Sequence, residues 1–573
     1  MLFNIEINDQ QVTAKRGETI MTVLNRNGIT VPTLCHLSNF SPTGACRMCV
    51  VEVDGYPGLV PACSHPIEEW MKIRTHSPRV LDARKTLVEL LLAGHPDDCL
   101  YCERSGNCEL QNLAKELGVH ERKYHGNRVP NQIDKACPSI ERDPAKCILC
   151  GRCIRICNET IGLSAIDIIG RGSKSRIGTS YNKGLNTSTC IRCGQCILVC
   201  PTNALSDKPV YVEVLKALNN PNLFPVVQFS PTIPSSIAED LGLRPSKDIP
   251  NLLRAALKKM GFKQVFDTAF GADISLMEEA AEFADRLNKN GPLPFFTGSC
   301  PSWVSYIRSA RPGFIPNLSS VKSPQQIMGG IIKNYITQSA GHLPKDVYVV
   351  SVMPCTSKKY EAETDCLKDE QTRFVDAVIT TRELVKMIYL LGIDFANLEP
   401  VPTETAFNMC SSSGKMFGVA GGALEGLLRT VYPLIAGSEG GPVKIMDLRG
   451  LKGRKEAKVK IGKQQLHVAA VSGLANVFPL LNELEAGRND LHIIEVMACP
   501  YGCINGGGQR IGSEEKHLKA RMKALYDTDE EEMIKVPHKN PVLTDLYEKF
   551  LGKPFSDRSR EFLYVPDRQS DIK

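Results

Sequence analysis

The first thirty residues show two different hydrophobic periodicities. Residues 1–7 (MLFNIEI) and 10–16 (QQVTAKR) alternate apolar and polar side chains around a short polar turn, which predicts two paired strands. In residues 18–29 (ETIMTVLNRNGI) the apolar positions recur at helical spacing, and Gly28 lies just beyond the last of them. We therefore predict two strands followed by a short helix that ends near Gly28.

A helical face of another kind occurs near the middle of the chain. In residues 273–287 (DISLMEEAAEFADRL), Glu279, Glu282 and Arg286 are separated by three and four positions and therefore share one face of a helix. No stretch of 18 consecutive apolar residues occurs, and the first residues lack the pattern of an export signal. The sequence predicts a soluble, cytoplasmic protein that does not enter a membrane.

Composition adds one unusual feature, a large number of cysteines. The 573 residues include 22 cysteines, of which 16 precede residue 201. Several form C-x-x-C groups, which favour metal binding over disulfides in a chain without an export signal. The length predicts three or four domains. A net charge of +6, spread along the chain, gives no indication of nucleic-acid binding.

The strongest motif is a cysteine run that occurs twice. Residues 147–157 (CILCGRCIRIC) and 190–201 (CIRCGQCILVCP) both have the spacing C-x2-C-x2-C-x3-C of bacterial two-cluster ferredoxins, in which the fourth cysteine of each run binds the other cluster. We therefore predict two 4Fe-4S clusters, one on Cys147, Cys150, Cys153 and Cys200, the other on Cys190, Cys193, Cys196 and Cys157. A pair of zinc knuckles is the alternative, but zinc sites use two pairs of ligands.

A mixed ligand set lies upstream of these runs. The sequence HPDDCLYCERSGNC provides one imidazole and three thiols, from His95, Cys99, Cys102 and Cys108. This set suits either zinc or a 4Fe-4S cluster. Its position between other predicted redox centres favours the cluster, because a zinc ion would interrupt an electron path.

Four more cysteines follow the predicted strands and helix at the start of the chain. They are Cys35, Cys46, Cys49 and Cys63. Two strands and a helix ahead of such a set are typical of a β-grasp ferredoxin with a 2Fe-2S cluster, and zinc is again the alternative.

These sets divide the chain into a multidomain α+β and α/β protein. The predicted domains are a β-grasp 2Fe-2S domain (1–78), a small His/Cys3 4Fe-4S domain (79–125), a bacterial-ferredoxin-like two-cluster domain (126–209) and a large α/β domain (210–573). Residues 125–146 and 206–225 are rich in Pro and Asn and are predicted connections. Cys137 has no partner there, and we predict no function for it.

The large domain contains three short stretches typical of site loops. They are TGSCPSW (297–303), MPCTSKK (353–359) and ACPYGCINGGGQ (498–509). By spacing alone, four thiolates from three loops can surround one further 4Fe-4S cluster.

These motifs, together with the cysteine sets upstream, resemble the clostridial-type FeFe-hydrogenases over essentially the whole chain. The resemblance implies reversible reduction of protons to dihydrogen at an H-cluster, a 4Fe-4S cubane joined to a diiron subsite with CO, cyanide and a dithiolate. It implies a cubane held by Cys300, Cys355, Cys499 and Cys503, with Cys503 bridging to the diiron subsite. One 2Fe-2S and three accessory 4Fe-4S clusters would carry electrons. Cys366 and Cys410 match no motif and are expected to be structural.

The resemblance also assigns residues around the diiron subsite. Lys358 and Gln325 would donate to its cyanide ligands, Met353 and Met497 would form polarizable walls, and Phe417 would pack nearby. Glu279, Glu282, Ser319 and Arg286 would form a proton relay. The implied partners are a ferredoxin or similar small electron carrier and maturation proteins that insert the diiron subsite.

Residue 299 departs from the family pattern. Prototypical members have a second cysteine before the ligand cysteine, whereas this chain has Ser299 before Cys300. A hydroxyl ionises far less readily than a thiol, so the first step of proton transfer would be weakened. We therefore expect a hydrogenase that is slow or biased in direction. The alternatives are a hydrogen-sensing or regulatory protein and a noncatalytic electron-transfer or iron-sulfur assembly protein.

Overall fold

The fold is taken from a computed structural model, which describes residues 2–126, 132–244, 248–364, 372–440 and 444–565. Cys366 lies outside these ranges. Within them, none of the helices has both the length and the apolar character needed to cross a membrane. The cysteines in these ranges are all free thiols.

The chain begins with a five-stranded sheet that has one helix across it. The strands are β1 (Leu2–Ile7), β2 (Gln10–Lys15), β3 (Val50–Val53), β4 (Val60–Pro61) and β5 (Lys72–Arg74), in the order β2-β1-β5-β3-β4. The helix Ile20–Arg26 is capped by Thr19, whose hydroxyl accepts a hydrogen bond from the N–H of Thr22. Gly28 follows with a φ of +71°. The two strands and the helix predicted from periodicity are thus confirmed.

Two small units follow this sheet. The first consists of the helices Pro78–Gly94 and Glu109–Glu116. The second has the short helices Arg152–Arg155 and Gln195–Leu198 and two antiparallel pairs, in which β6 (Ile140–Arg142) pairs with β9 (Leu205–Asp207), and β7 (Asp167–Ile169) with β8 (Arg176–Gly178).

The predicted connections contain regular structure. Strand β6 lies inside residues 125–146, and the helix Tyr211–Leu218 lies inside residues 206–225. A strand of three residues is too short to show a periodicity, and β6 is held by its pairing with β9, more than 60 residues away. Both segments therefore contain regular structure, and their role as connections between domains stays a prediction.

The large domain contains two four-stranded sheets. Its strands are β10 (Phe224–Phe229), β11 (Gln264–Asp267), β12 (Phe295–Thr297), β13 (Val347–Met353), β14 (Ala377–Thr380), β15 (Arg454–Ile461), β16 (Gln464–Ser472) and β17 (Ile493–Met497). The orders are β11-β10-β13-β14, all parallel, and β12-β17-β16-β15, in which only β15 is antiparallel. Strands such as β13 read as continuous apolar runs because both faces of a parallel sheet are covered.

Helices surround these sheets. They are Ile233–Asp240, Ile249–Lys259, Thr268–Asn288, Pro301–Ala310, Pro324–Ile331, Thr337–Ser339, Ser357–Thr364, Thr381–Leu390, Ser412–Lys415, Gly422–Ala436, Leu474–Glu485, Glu515–Glu531, Pro541–Leu546 and Asp557–Leu563. The helix Thr268–Asn288 is buried along most of its length and packs against Gly422–Ala436 and Pro324–Ile331. It carries Glu279, Glu282 and Arg286, as the helical spacing predicts. The multidomain architecture is therefore the predicted one.

Candidate active site

A cavity lies where the carboxyl ends of parallel strands from both sheets meet. It spans about 860 Å³, including space open to solvent, and is reached by the residues that follow β10, β12, β13 and β17. Open parallel sheets commonly bind ligands at this edge. Among its lining residues are Ser299, Cys300, Gln325, Met353, Cys355, Lys358, Phe417, Met497, Cys499 and Cys503. The structure thus brings together every residue that the resemblance placed around the cubane and the diiron subsite.

The four cysteines reach the cavity from different kinds of turn. Cys300 precedes the helix Pro301–Ala310, and the φ of +97° at Gly298 turns the chain out of β12. Cys355 follows β13, while Cys503 follows Gly502, where a Cβ atom would lie 2.7 Å from the sulfur of Met497. Burial raises the pKa of the Cys355 thiol to about 12 and that of Cys499 well above its usual value. Such thiols become thiolates readily only beside a metal, so the donor set fits an iron cluster.

Lys358 is part of a polar cluster at the cavity wall. Its ammonium group donates to both carboxylate oxygens of Glu361, at 3.0 and 2.8 Å, and lies 3.5 Å from the carbonyl oxygen of Ser299. The same carboxylate accepts hydrogen bonds from Ser323, at 2.7 Å, and from the side-chain amide of Gln325, at 3.3 Å. Glu361 is therefore hydrogen-bonded to both Lys358 and Gln325, the two residues predicted to donate to cyanide ligands.

Glu279 is a buried carboxyl behind the Ser299 loop. It is 1% exposed, and burial raises its pKa to about 7 even though it accepts hydrogen bonds from the Thr297 hydroxyl and the N–H of Gly298 and lies beside the Ser319 hydroxyl. A carboxyl with this pKa exchanges protons readily near neutral pH.

The other predicted relay residues continue from Glu279 toward the surface. The Ser319 hydroxyl donates to Glu282 at 3.4 Å, and the guanidinium of Arg286 donates to the other oxygen of Glu282 at 2.6 Å. Arg286 also donates to the carbonyl oxygen of Leu318 at 2.8 Å, and its side chain is 13% exposed. The four residues thus form a continuous polar row.

Ser299 lines the cavity but is not joined to this row. Within the described ranges its hydroxyl makes no hydrogen bond, and the hydroxyl that donates to Glu279 belongs to Thr297, two positions earlier. The hydrogen-bonded row that runs from Glu279 to Arg286 therefore does not extend to Ser299 at the cavity.

The two cysteine runs line two separate pockets, each of about 450 Å³ including space open to solvent. One is lined by Cys147, Cys150, Cys153 and Cys200. The other is lined by Cys190, Cys193, Cys196 and Cys157. The structure thus groups the fourth cysteine of each run with the first three of the other, and burial raises the pKa of the Cys147 thiol to about 11.

His95 is oriented like a metal ligand. Its Nδ1 lies 3.1 Å from the carbonyl oxygen of Pro96, while its Nε2 is buried without a hydrogen-bond partner. Burial lowers the pKa of the imidazole, which keeps it neutral. Metal-bound histidines typically donate their other ring N–H to a carbonyl in this way. The thiol of Cys99 lies close enough to those of Cys102 and Cys108 for their charges to interact.

The four cysteines of the first domain are in direct contact. The thiol of Cys35 lies against those of Cys46 and Cys63, and Cys63 also contacts Cys49. Cys35, Cys49 and Cys63 are buried beside the five-stranded sheet. This closed group of soft donors fits a 2Fe-2S cluster.

Cys137 and Cys410 remain outside these groups. Both are buried in apolar surroundings, Cys137 beside Cys190 and Cys410 within the core of the large domain.

Sequence reasoning missed several polar residues of the site. Glu361 follows Lys358 by three positions on a helix, a spacing that suggests an ion pair. Thr297 begins the TGSCPSW stretch, but nothing in the sequence indicated its bond to Glu279, and Ser230 gave no signal, because a hydroxyl after a strand is common.

The chain matches five families along its length. They are described as 2Fe-2S iron-sulfur cluster binding domain (2–78), NADH-ubiquinone oxidoreductase-G iron-sulfur binding region (84–123), NADH-quinone oxidoreductase subunit 3, ferredoxin-like domain (137–206), iron only hydrogenase large subunit, C-terminal domain (224–507), and iron hydrogenase small subunit (515–565).

Several named proteins are similar to this chain. The NADP-reducing hydrogenase subunit HndD of Solidesulfovibrio fructosivorans is 40% identical over 98% of both chains. Iron hydrogenase 1 of Clostridium pasteurianum is 38% identical over 98% of this chain and 99% of its own. The cytosolic Fe-S cluster assembly factor narfl of Danio rerio is 34% identical over 59% of this chain and 85% of its own.

A solved structure agrees with these sequence matches. The apo [FeFe]-hydrogenase HydA1 from Chlamydomonas reinhardtii superposes with a TM-score of 0.57 at 33% identity, covering 62% of this chain and 98% of that chain. The full-length similarity to named hydrogenases includes both the iron-sulfur domains and the cavity domain. This chain therefore belongs to the iron-only, or FeFe, hydrogenase family of oxidoreductases that act on hydrogen.

Proposed function

We propose that the protein reversibly reduces protons to dihydrogen at an H-cluster in the cavity of the large domain. The observation that carries the proposal is the convergence of Cys300, Cys355, Cys499 and Cys503 on one cavity. The same cavity presents Lys358, Gln325, Met353 and Met497 to a bound group. When bound, the H-cluster supplies an open iron position that polarises dihydrogen and a dithiolate amine that exchanges its proton.

The protein's own residues would hold that group and move protons. Lys358, a cation, and Gln325, an amide donor, suit anionic cyanide ligands at the cavity wall. Glu279 would pass protons to Ser319 and Glu282, and Arg286 would keep the Glu282 carboxylate oriented. The depth of Glu279 and its pKa of about 7 support its role as an acid and a base in one cycle.

Ser299 would limit the rate of this proton transfer. Its hydroxyl is not joined to Glu279, so a proton must cross through a water molecule or a side-chain rearrangement. Proton-transfer groups typically contribute about 10²- to 10⁴-fold in rate. We therefore propose a slow or directionally biased hydrogenase.

The accessory clusters are proposed as the route for electrons. One 2Fe-2S and three 4Fe-4S clusters would connect the surface to the cubane through the four cysteine groups described above. A ferredoxin or similar small carrier would exchange electrons in the cytoplasm, and dedicated maturation proteins would insert the diiron subsite.

The test is the infrared spectrum of the protein after maturation. We expect sharp bands of iron-bound CO and cyanide, which have no counterpart in protein absorption. A spectrum without these bands in protein that holds its iron-sulfur clusters would contradict the proposal and favour an assembly or electron-transfer role.

One observation favours a second candidate, a hydrogen sensor that needs little turnover. The missing bond between Ser299 and Glu279 would slow catalysis without disturbing the cavity. CO and cyanide bands together with negligible hydrogen evolution would support this candidate.

A further inference from the structure

The loop that carries Cys190, Cys193 and Cys196 is fastened to the active-site cavity by three buried hydroxyls. Ser302 and Ser357 both donate to the carbonyl oxygen of Ile191, at 3.0 and 3.1 Å. Thr356 donates to the carbonyl oxygen of Arg192 at 2.7 Å. All three hydroxyl-bearing residues are buried, with exposures of 1% or less.

These contacts involve every cysteine loop of the cavity. Ser302 follows Cys300 by two positions, and Thr356 and Ser357 directly follow Cys355. The third loop takes part through the carbonyl oxygen of Asn505, two positions after Cys503. It accepts a hydrogen bond of 2.7 Å from the side-chain amide of Gln195. Each of the three motif loops of the cavity is therefore hydrogen-bonded directly to the loop that carries Cys190, Cys193 and Cys196.

The backbone of the Cys503 loop also touches the backbone of the Cys193 loop. A Cβ atom at Gly507 would lie 2.1 Å from the carbonyl oxygen of Cys193, and a Cβ atom at Gly194 would lie 2.5 Å from the Thr356 hydroxyl. Only glycine permits this approach without movement of the backbone. The thiol of Cys193 is consequently close enough to Cys355 and Cys499 for their charges to interact.

We propose that Ser302, Thr356 and Ser357 are positioning residues that hold the Cys193 loop against the cubane loops and so set electron transfer between the two sites. This inference rests on the proposed function for its redox role. During proton reduction each transfer oxidises the accessory cluster by one electron and reduces the cubane by one, and two transfers serve one dihydrogen. Buried hydroxyls suit this role because their loss leaves a carbonyl unpaired and lets the loop move.

The experiment uses the full-length protein with Thr356→Val and with the double change Ser302→Ala and Ser357→Ala. Thr430→Val is the matched control, since the Thr430 hydroxyl is buried and donates to the carbonyl oxygen of Gly426, at 2.8 Å, within a single helix. Protein reconstituted with iron and sulfide, without maturation, is reduced. The magnetic interaction between neighbouring 4Fe-4S clusters is then measured by electron paramagnetic resonance.

A second measurement uses matured protein. Hydrogen evolution with reduced methyl viologen requires electron delivery, whereas exchange of D2 with protons of water requires only the active site. We expect a weaker magnetic interaction in the Thr356 and Ser302/Ser357 variants. We also expect the ratio of evolution to exchange to fall, because evolution needs electrons from the Cys193 cluster whereas exchange is retained without them. The Thr430 variant should match the wild type in magnetic interaction, in hydrogen evolution and in D2 exchange.

Two results would overturn the inference: a magnetic interaction unchanged from the wild type, or equal losses of evolution and exchange. Gly507→Ala gives an independent check, because its added methyl group must push the Cys193 carbonyl away while every hydroxyl remains. This variant should also show a weaker magnetic interaction than the wild type. The resonance measurement does not need the diiron subsite. Failure of the proposed function, seen as missing CO and cyanide bands, is therefore distinguishable from failure of this inference.

Discussion

Replacing Glu279 by glutamine tests the proton relay at its most buried member. The amide keeps the size of the side chain and its oxygen can still accept hydrogen bonds from Thr297 and Gly298, but it cannot carry a proton. If Glu279 carries protons between the cavity and the rest of the relay, Glu279→Gln should reduce hydrogen turnover by about 10²- to 10⁴-fold. The content of CO and cyanide, measured by infrared spectroscopy, should stay equal to that of the wild type.

Glu278→Gln is the matched control for this change. Glu278 is the adjacent residue and is also buried, but its carboxylate accepts hydrogen bonds from Tyr547 at 2.7 Å and Tyr564 at 2.9 Å. It therefore anchors the C-terminal helices and lies outside the relay. We expect this variant to be less stable while each loaded site retains its turnover.

The raised pKa of Glu279 also predicts a dependence of stability on pH. Because the pKa is about 7 in the folded protein and 4.5 ordinarily, the protonated form stabilises the fold, and that stability is lost as pH rises from 4.5 through 7. The loss amounts to about 3 kcal/mol. Glutamine resembles the protonated form, so Glu279→Gln should melt at the wild-type temperature near pH 5 and above it near pH 8.

Turnover of the wild type should accordingly change near pH 7, and this inflection should vanish in Glu279→Gln. Rates are measured by gas chromatography of evolved hydrogen and divided by the infrared occupancy. Equal turnover in Glu279→Gln and the wild type, or equal losses in Glu278→Gln and Glu279→Gln, would refute the assignment of Glu279 to the relay.

Three further predictions concern the site and the cluster chain. Ser299→Cys should raise hydrogen turnover at equal occupancy, because a thiol of moderate pKa replaces a hydroxyl that rarely ionises, and an unchanged rate would mean that protons bypass residue 299. Protein reconstituted before maturation should hold about 18 iron atoms, and His95→Ala should disturb one 4Fe-4S site only; stoichiometric zinc at this site would contradict the prediction. Removal of residues 1–209 should leave a domain that still shows CO and cyanide bands after maturation, because the four cysteines of the cavity all lie downstream. Loss of these bands in folded, truncated protein would argue against a separate catalytic domain that begins at residue 210.

Local sequence patterns predicted the parts of the molecule that depend on spacing. The alternation of residues 1–7 and the helical spacing of Glu279, Glu282 and Arg286 correspond to real elements, since side-chain period follows directly from backbone geometry. The cysteine runs likewise indicated that Cys200 would join Cys147, because a repeated run implies a pseudo-symmetric fold.

Contacts between distant segments were beyond such patterns. The hydroxyls of Ser302 and Thr356 lie in the motif stretches, but they bond to carbonyls more than 100 positions away, and no local feature indicates those partners. Strand β6 was missed for the same reason, because its three residues acquire their structure only by pairing with β9. The isolation of the Ser299 hydroxyl from Glu279 also depends on side-chain directions that the sequence does not specify.

Hydrogen evolution by fully matured protein with reduced methyl viologen tests the central claim most directly. The account predicts evolution that requires maturation, is absent from protein reconstituted only with iron and sulfide, and rises in Ser299→Cys. Matured protein that shows CO and cyanide bands but evolves no hydrogen, with or without the added cysteine, would contradict the account.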